Sequence, residues 1–477
     1  MLQSEKAFQA TALAKDFRYQ GAIIDWLDIT SIALLNNSDH RGKVEGNSSN
    51  CHCEKEKALS LAQTFVGCIL EENDNNQVFR STDYPCHFQS RNGKRLGQVD
   101  GSERRRDLSG NRMEGELGKV AWKEKIGVGF STVSVAEGRL FTMGHDGRKQ
   151  GGKETVYCLD AKTGKKIWSD SYPAKLVDYL HEGGPCSTPT IDGETVYTLS
   201  KDGRMNAYKV LDGKLFWTRD MLSASGMTRP PEWGFAGSPY VLGDLLIIEA
   251  ANTFALNKKT GETVWKSKRY RPAYGSPAAL YREGKTIIAT LKTDGLVMLD
   301  ASDGSTLAFE KWETRFRTNS TTPLIRGNKI FLSTGYRRGC ALFEFDGSLL
   351  RKIYENQNMS NHMNNSVPLG DYLYGFDGNV HMAGPKDLVC IQFSTGKEMW
   401  RDKSNLQVGS LIIADNKIIA LGQRGELAIA PASPKGFRPS VREQVIGGRC
   451  WTSPVLSHGL LYLRNARGDL ICLDLRG

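Results

Sequence analysis

Residues 189–220 read PTIDGETVYTLSKDGRMNAYKVLDGKLFWTRD, and this stretch decides the fold. Pro189-Thr190-Ile191 is a short strand ended by Asp192-Gly193. Thr195 to Ser200 alternates apolar and polar residues, the pattern of a half-buried strand, and Lys201-Asp202-Gly203 turns the chain back. Arg204 to Val210 supplies a third strand, Leu211-Asp212-Gly213 the next turn, and Lys214 to Asp220 a fourth strand carrying Trp217. Each turn holds a glycine where a positive φ costs other residues energy. The unit is a four-stranded antiparallel meander, which is one propeller blade.

Outward from this unit the pattern recurs. An aromatic preceded by an apolar residue stands at Trp122, Trp168, Trp217, Trp265, Phe309, Tyr354 and Trp400, in steps of 44 to 49 residues. A small-polar stretch, often Ser/Thr-x-Pro or Ser-Pro, occurs at Ser131–Val135, Ser187–Pro189, Ser238-Pro239, Ser276-Pro277, Thr321–Pro323, Ser366–Pro368, Gly409–Leu411 and Ser453-Pro454. A period of this length marks a repeat architecture. Its two ends fix which one. Lys119 to Ile126 is a fourth strand without the first three, and Gly468 to Gly477 is a third strand without a fourth. Pairing them removes two exposed sheet edges, whereas an open solenoid needs polar capping repeats. The expected fold is all-β: an eight-bladed β-propeller of four-stranded antiparallel blades over residues 117–477, closed by the N-terminal strand pairing with the C-terminal blade. A closed ring leaves no edge that demands a partner, so a monomer is expected. Trp122, Trp168, Trp217, Trp265 and Trp400 read as structural rings packed between adjacent blades.

Composition narrows the function. The chain has 477 residues, 50 of them glycine, and no apolar stretch long enough for a membrane-spanning helix. The net charge of +10 comes from basic residues scattered among acidic ones, which argues against a nucleic-acid partner. Ten cysteines include no C-x-x-C pair and no zinc spacing, so no metal site is assigned. Cys158, Cys390 and Cys472 hold one equivalent place in three repeats, as small buried hydrophobes do. Residues 1–116 lack the repeat. Residues 58–70 suit an apolar helix and 21–26 a short strand or helix, while 36–49 and 91–112 are polar and expected to be disordered. Cys51, Cys53, Cys68 and Cys86 form no recognisable framework, and no secretory signal follows Met1.

In a propeller, the links from the outer strand of one blade to the inner strand of the next gather at one mouth of the channel. Those links carry Arg229, Trp233, Arg271, Arg317, Asn361, His362, Arg449 and Trp451, the candidate ligand-binding residues. Arginine offers a planar fork of donors that suits an anionic small molecule or a peptide carboxylate. The competing reading leaves these arginines solvated or paired with neighbours such as Glu232 and Glu313, with the aromatics filling the mouth. His362, alone among asparagines, reads as a hydrogen-bonded structural residue, and no catalytic residue is assigned.

Val156 to Trp168, Phe254 to Trp265 and Ile391 to Trp400 resemble the pyrroloquinoline-quinone (PQQ) repeat, whose core is apolar-x-Leu-Asp-x-x-Thr-Gly-x-x-x-Trp. That family includes quinoprotein alcohol dehydrogenases, polyvinyl-alcohol-dehydrogenase-like proteins and the propeller lipoprotein of the bacterial outer-membrane barrel assembly machinery. Trp233 to Pro239, Asn361 to Ser366 and Gly448 to Pro454 look most like exported propellers of planctomycete-type bacteria. The resemblance implies a periplasmic or exported protein, with a cytoplasmic one the alternative since no signal peptide is visible, and one of two functions. The leading one is a non-catalytic binding or assembly scaffold that meets a protein partner or anionic small ligand at the channel mouth. The alternative is a PQQ-dependent dehydrogenase, with calcium, oxidising an alcohol, polyvinyl alcohol or a sugar; a hydrolase using His362 is a weaker rival. This sequence departs from the enzymes in having no adjacent cysteines, no recognisable carboxylate and amide set for calcium, and compact blades. Ser90-Arg91-Asn92-Gly93 is similar to the approach to the first blade in relatives, and a misplaced start codon or a frameshift upstream of about Glu116 would account for the unusual segment before the ring.

Overall fold

The computed structural model describes residues 117–403 and 405–476. The expectations for residues 1–116, including the helix at 58–70, the element at 21–26, the disorder, Cys51, Cys53, Cys68, Cys86 and the Ser90–Gly93 remnant, lie outside the described residues.

Eight four-stranded antiparallel sheets form the ring. Blade 2 consists of Thr190–Asp192, Thr195–Leu199, Arg204–Lys209 and Leu215–Asp220, within a residue or two of the sequence reading. We number blade 1 from Ser134–Ala136 and blades 3 to 7 from Tyr240–Leu242, Ala278–Arg282, Leu324–Arg326, Val367–Leu369 and Ser410–Ala414. Blade 8 takes Val455–Ser457, Leu460–Arg464 and Asp469–Asp474 from the C-terminal end and its outer strand, Lys119–Lys125, from the start of the ring. The register runs from Lys119 opposite Asp474 to Lys125 opposite Asp469, so the ring closes as expected.

The apolar core is divided among the eight seams between blades. Phe141, Met143 and Trp168 of blade 1 pack with Val196 and Tyr208 of blade 2, and Tyr197 and Leu199 on the other face of blade 2 pack with Leu246 and Phe254 of blade 3. This corrects one expectation. Thr195–Leu199 is not half-buried: Val196 to Leu199, Thr198 included, are buried, because each blade is covered by a neighbour on both faces.

Two rings of contacts explain the two sequence markers. Near the axis, the small-polar stretches latch neighbouring blades. Thr132 Oγ1 donates to the Ser453 carbonyl (3.0 Å), Ser134 Oγ to Pro189 (2.5 Å) and Ser410 Oγ to Trp451 (3.1 Å). The Thr188, Ser238, Ser276 and Thr322 amides donate to Ser238, Ser276, Thr322 and Asn365 side chains at 2.9–3.2 Å, and Asn364 Nδ2 donates to the Gly409 carbonyl. All eight seams are thereby crossed. At the periphery, Trp122, Trp168, Trp217 and Trp265 donate Nε1 to the carbonyls of Ala161, Val210, Lys258 and Ala301 in the following blade. Each ring also lies on that blade's turn glycine: a Cβ on Gly164, Gly213, Gly261 or Gly304 would stand 2.4–2.7 Å from the indole. These glycines have φ near +75°, so the residue type is required twice over.

A β-bulge just before the aromatic position recurs in seven blades and turns the ring into the seam. It also corrects the assignment of Phe309. The residue opposite Met298, where other blades place their aromatic, is Ala308; Phe309 falls on the opposite face of the strand and is 46% exposed. Cys158, Cys390 and Cys472 sit opposite Trp168, Trp400 and Trp122, buried as expected, and burial pushes each thiol up to about 12.

Candidate functional site

In a meander blade, the outer-to-inner links and the turns between second and third strands emerge on the same face. Here they meet in a run of ring contacts. Tyr179 stacks on Trp233 at 5.9 Å; His181 contacts Trp233 and Phe130, both at 5.2 Å; Phe130 stacks on Trp451 at 5.1 Å. His381 meets Trp451 edge-on at 5.6 Å and His362 at 6.1 Å, and Tyr336 bridges His362 and Phe316, each at 5.0 Å. Residues from six links and two turns are thus joined into one arc of aromatic side chains.

The structure brings together only part of the sequence-derived set. Trp233, His362 and Trp451 belong to the arc, and Arg449 lies 4.6 Å over the Trp451 ring while pairing with Glu182 at 3.2 Å. Arg271 is held by Asp294 and, at 3.0 Å, by Glu313, as the competing reading expected of the second partner. Arg229 and Arg317 are exposed on their links. Asn361 is buried with both amide ends engaged: Nδ2 donates to the Phe376 carbonyl at 3.0 Å, and Oδ1 accepts from Ser366 at 2.7 Å. Phe130, Tyr179, His181, Tyr336 and His381 join the arc from outside the sequence-derived set. Tyr336 and His381 lie in second-to-third strand turns, and an aromatic or imidazole at such a turn is the signal that finds them.

Burial governs the chemistry of the arc. It drives both His181 and His362 down to about 3, with the neighbouring His381 adding to the effect. His381 is lowered too, by burial and then by Arg449. The three imidazoles are therefore neutral near pH 7 and act as ring surfaces and hydrogen-bonding groups; His362 is too weak a base for proton abstraction there. Its Nδ1 instead accepts from the Val380 amide at 3.4 Å. Beside the arc lies a shallow, solvent-open depression of about 410 Å³ lined in part by Val128, Leu176, Asp178, His181, Glu182 and Arg449. Within the protein, buried Trp451 Nε1 and Asn364 Oδ1 have no hydrogen-bond partner, a state that favours an incoming polar group.

A calcium-bound quinone does not fit these residues. Calcium needs several oxygen ligands, yet Asp178 is paired with Lys149 at 2.9 Å, Glu182 with Arg449, and Asp294 and Glu313 with Arg271. Among the described residues no group of three or more His, Cys, Asp or Glu side chains is arranged to hold a metal ion.

Comparison with known proteins gives the lineage. The family model for outer membrane protein assembly factor BamB matches residues 89–248 and 250–477. The chain belongs to that family. A BamB of Shewanella oneidensis is 23% identical over 312 residues, covering 62% of this chain and 70% of that protein. A BamB of Moranella endobia is 20% identical over 309 residues, covering 59% and 73%. The crystal structure of BamB from Moraxella catarrhalis superposes with a TM-score of 0.54 at 16% identity, over 75% of this chain and all of that one. A quinohemoprotein alcohol dehydrogenase from Comamonas testosteroni reaches the same TM-score at 12% identity, over 80% of this chain and 79% of that one. At these identities the superpositions establish the eight-bladed fold alone. Among the described residues no helix is long and apolar enough to cross a membrane.

Proposed function

We propose that the ring of residues 117–477 is a non-catalytic binding or assembly scaffold, working as a monomer in the periplasm and meeting a protein partner or an anionic ligand at its mouth. The observation that carries this reading is the arc from Tyr179 to Phe316. It is a surface of aromatic rings and neutral imidazoles bordered by arginines. Aromatic and arginine side chains together are the usual composition of protein-contact hot spots. Membership of a family described as an assembly factor points the same way.

A photo-crosslinking residue placed at Trp233 or Arg317 should capture one protein in cells, and the same residue at Glu137 or Glu283 on the opposite face should not. Capture only from the opposite face would overturn the assignment of the mouth. Incubation with the quinone and calcium, followed by dye reduction with alcohols, tests the dehydrogenase directly; turnover there would replace the scaffold reading.

A further inference from the structure

Arginines gather in one sector of the mouth, whereas the opposite face mixes acids with lysines such as Lys162, Lys165, Lys258 and Lys259. On the face away from the mouth, six of the eight turns between first and second strands hold an acid: Glu137, Glu194, Asp244, Glu283, Asp371 and Asp415. On the mouth face, the links leading into blades 3 to 5 and one turn of blade 5 expose Arg229, Arg269, Arg271, Arg315, Arg317 and Arg337. Arg269 and Arg271 are engaged, with the Ser225 carbonyl and with Asp294 and Glu313. Among the exposed arginines stands Phe316, 54% exposed, with Tyr336 on one side and Arg315 5.4 Å from its ring.

We propose that this sector of the mouth, on blades 3 to 5, docks an acidic polypeptide segment, with carboxylates on Arg229, Arg315, Arg317 and Arg337 and an apolar side chain on Phe316. The proposal rests on the mouth being the contact face. Arginine forks can hold carboxylates in pairs of hydrogen bonds, and Arg271 already holds the carboxylates of Asp294 and Glu313. The acids between the arginines, Glu232, Asp294 and Glu313, disfavour a dense run of phosphates such as a nucleic acid or an anionic bilayer, yet leave room for spaced carboxylates. An exposed aromatic at the centre supplies the apolar anchor that a polypeptide uses and a polyphosphate does not.

The test uses the full chain and a fluorescent peptide of Glu and Asp around a central Leu, read by anisotropy across a salt series. Arg229→Gln/Arg315→Gln/Arg317→Gln should weaken binding about ten-fold or more and flatten its salt dependence. Phe316→Ala should weaken it at every salt concentration. The matching Arg→Lys triple variant keeps the charge but loses the fork, and should fall between. All variants are first required to melt with the parent. Unchanged affinity in the Gln triple variant overturns the proposal, as does stronger binding to phosphatidylglycerol vesicles or single-stranded DNA than to the peptide. Loss of binding only in Arg424→Gln/Arg467→Gln moves the site to another part of the mouth and overturns the assigned sector while the mouth stands. Loss only in Lys162→Gln/Lys165→Gln, on the far face, overturns sector and mouth together.

Discussion

The seam between blades 3 and 4 and the seam between blades 4 and 5 are neighbours built on different rings. In the first, Trp265 lies on Gly304 and donates to the Ala301 carbonyl at 2.9 Å. In the second, Ala308 holds the equivalent place, and a Cβ on Gly347 would meet nothing nearer than Arg282 Nε at 3.8 Å. The missing volume is supplied further along the chain. Trp312 is fully buried in that seam, donates Nε1 to Thr334 Oγ1 at 2.9 Å, packs edge-on against Phe343 at 6.3 Å and carries Arg338 over its face at 3.5 Å. A bulky ring with a satisfied donor can therefore fill a seam from more than one position in the repeat. The seam between blades 7 and 8 has no such ring and relies on aliphatic packing of Val441, Ile446, Leu473 and Leu475, where the first and last segments of the ring replace the usual turn.

Truncating the rings gives the sharpest comparison. Trp265→Ala and Trp312→Ala should each cost about 4 kcal/mol in chemical unfolding, and Phe309→Ala less than about 1. Equal losses for Phe309 and Trp312 would restore the simple periodic reading. The closing seam comes next. Arg464 of blade 8 is fully buried without a carboxylate partner, and burial drops its guanidinium to about 9. It donates to Thr142 Oγ1 (3.0 Å) and the carbonyls of Met143 (2.7 Å), Gly127 (3.2 Å) and Ser131 in blade 1 and its approach. Arg464→Ala strands those acceptors and should cost roughly 3 to 4 kcal/mol, with the Lys119–Lys125 strand the first to exchange its amides.

The seam between blades 1 and 2 adds a pH dependence. Burial raises Glu154 from its ordinary 4.5 to about 7. Between those values the folded protein keeps a proton that the unfolded chain has lost, so this contribution is present below pH 4.5 and declines as pH rises to 7. The decline should amount to roughly 3 kcal/mol in denaturant titrations and vanish in Glu154→Gln. The smallest effect separates the two turn glycines. Gly304→Ala, which drives a methyl into Trp265, should cost about 2 kcal/mol, and Gly347→Ala about 1 from backbone strain alone.

The sequence was most legible where the signal is local and repeated. Hairpin turns, the recurring small-polar stretch and the two incomplete ends defined eight closed blades. The mouth was only partly legible: Trp233, His362, Arg449 and Trp451 lie where the links predicted, whereas Tyr336 and His381 come from turns on the same face that the links do not reveal.

Strand period and turn chemistry are properties of neighbouring residues, so the sequence by itself determined the blade, the number of blades and the means of closure. What touches what across blades was decided only by the tertiary structure. Gly164 and Trp168 share one motif, yet Trp122 lies on Gly164 and Trp168 on Gly213. A bulge changes which side of a strand faces the seam, and so put Ala308 where Phe309 was expected. Phe130 stacks on Trp451 because the ring closes, and residues this distant in sequence meet only when the last blade binds the first strand.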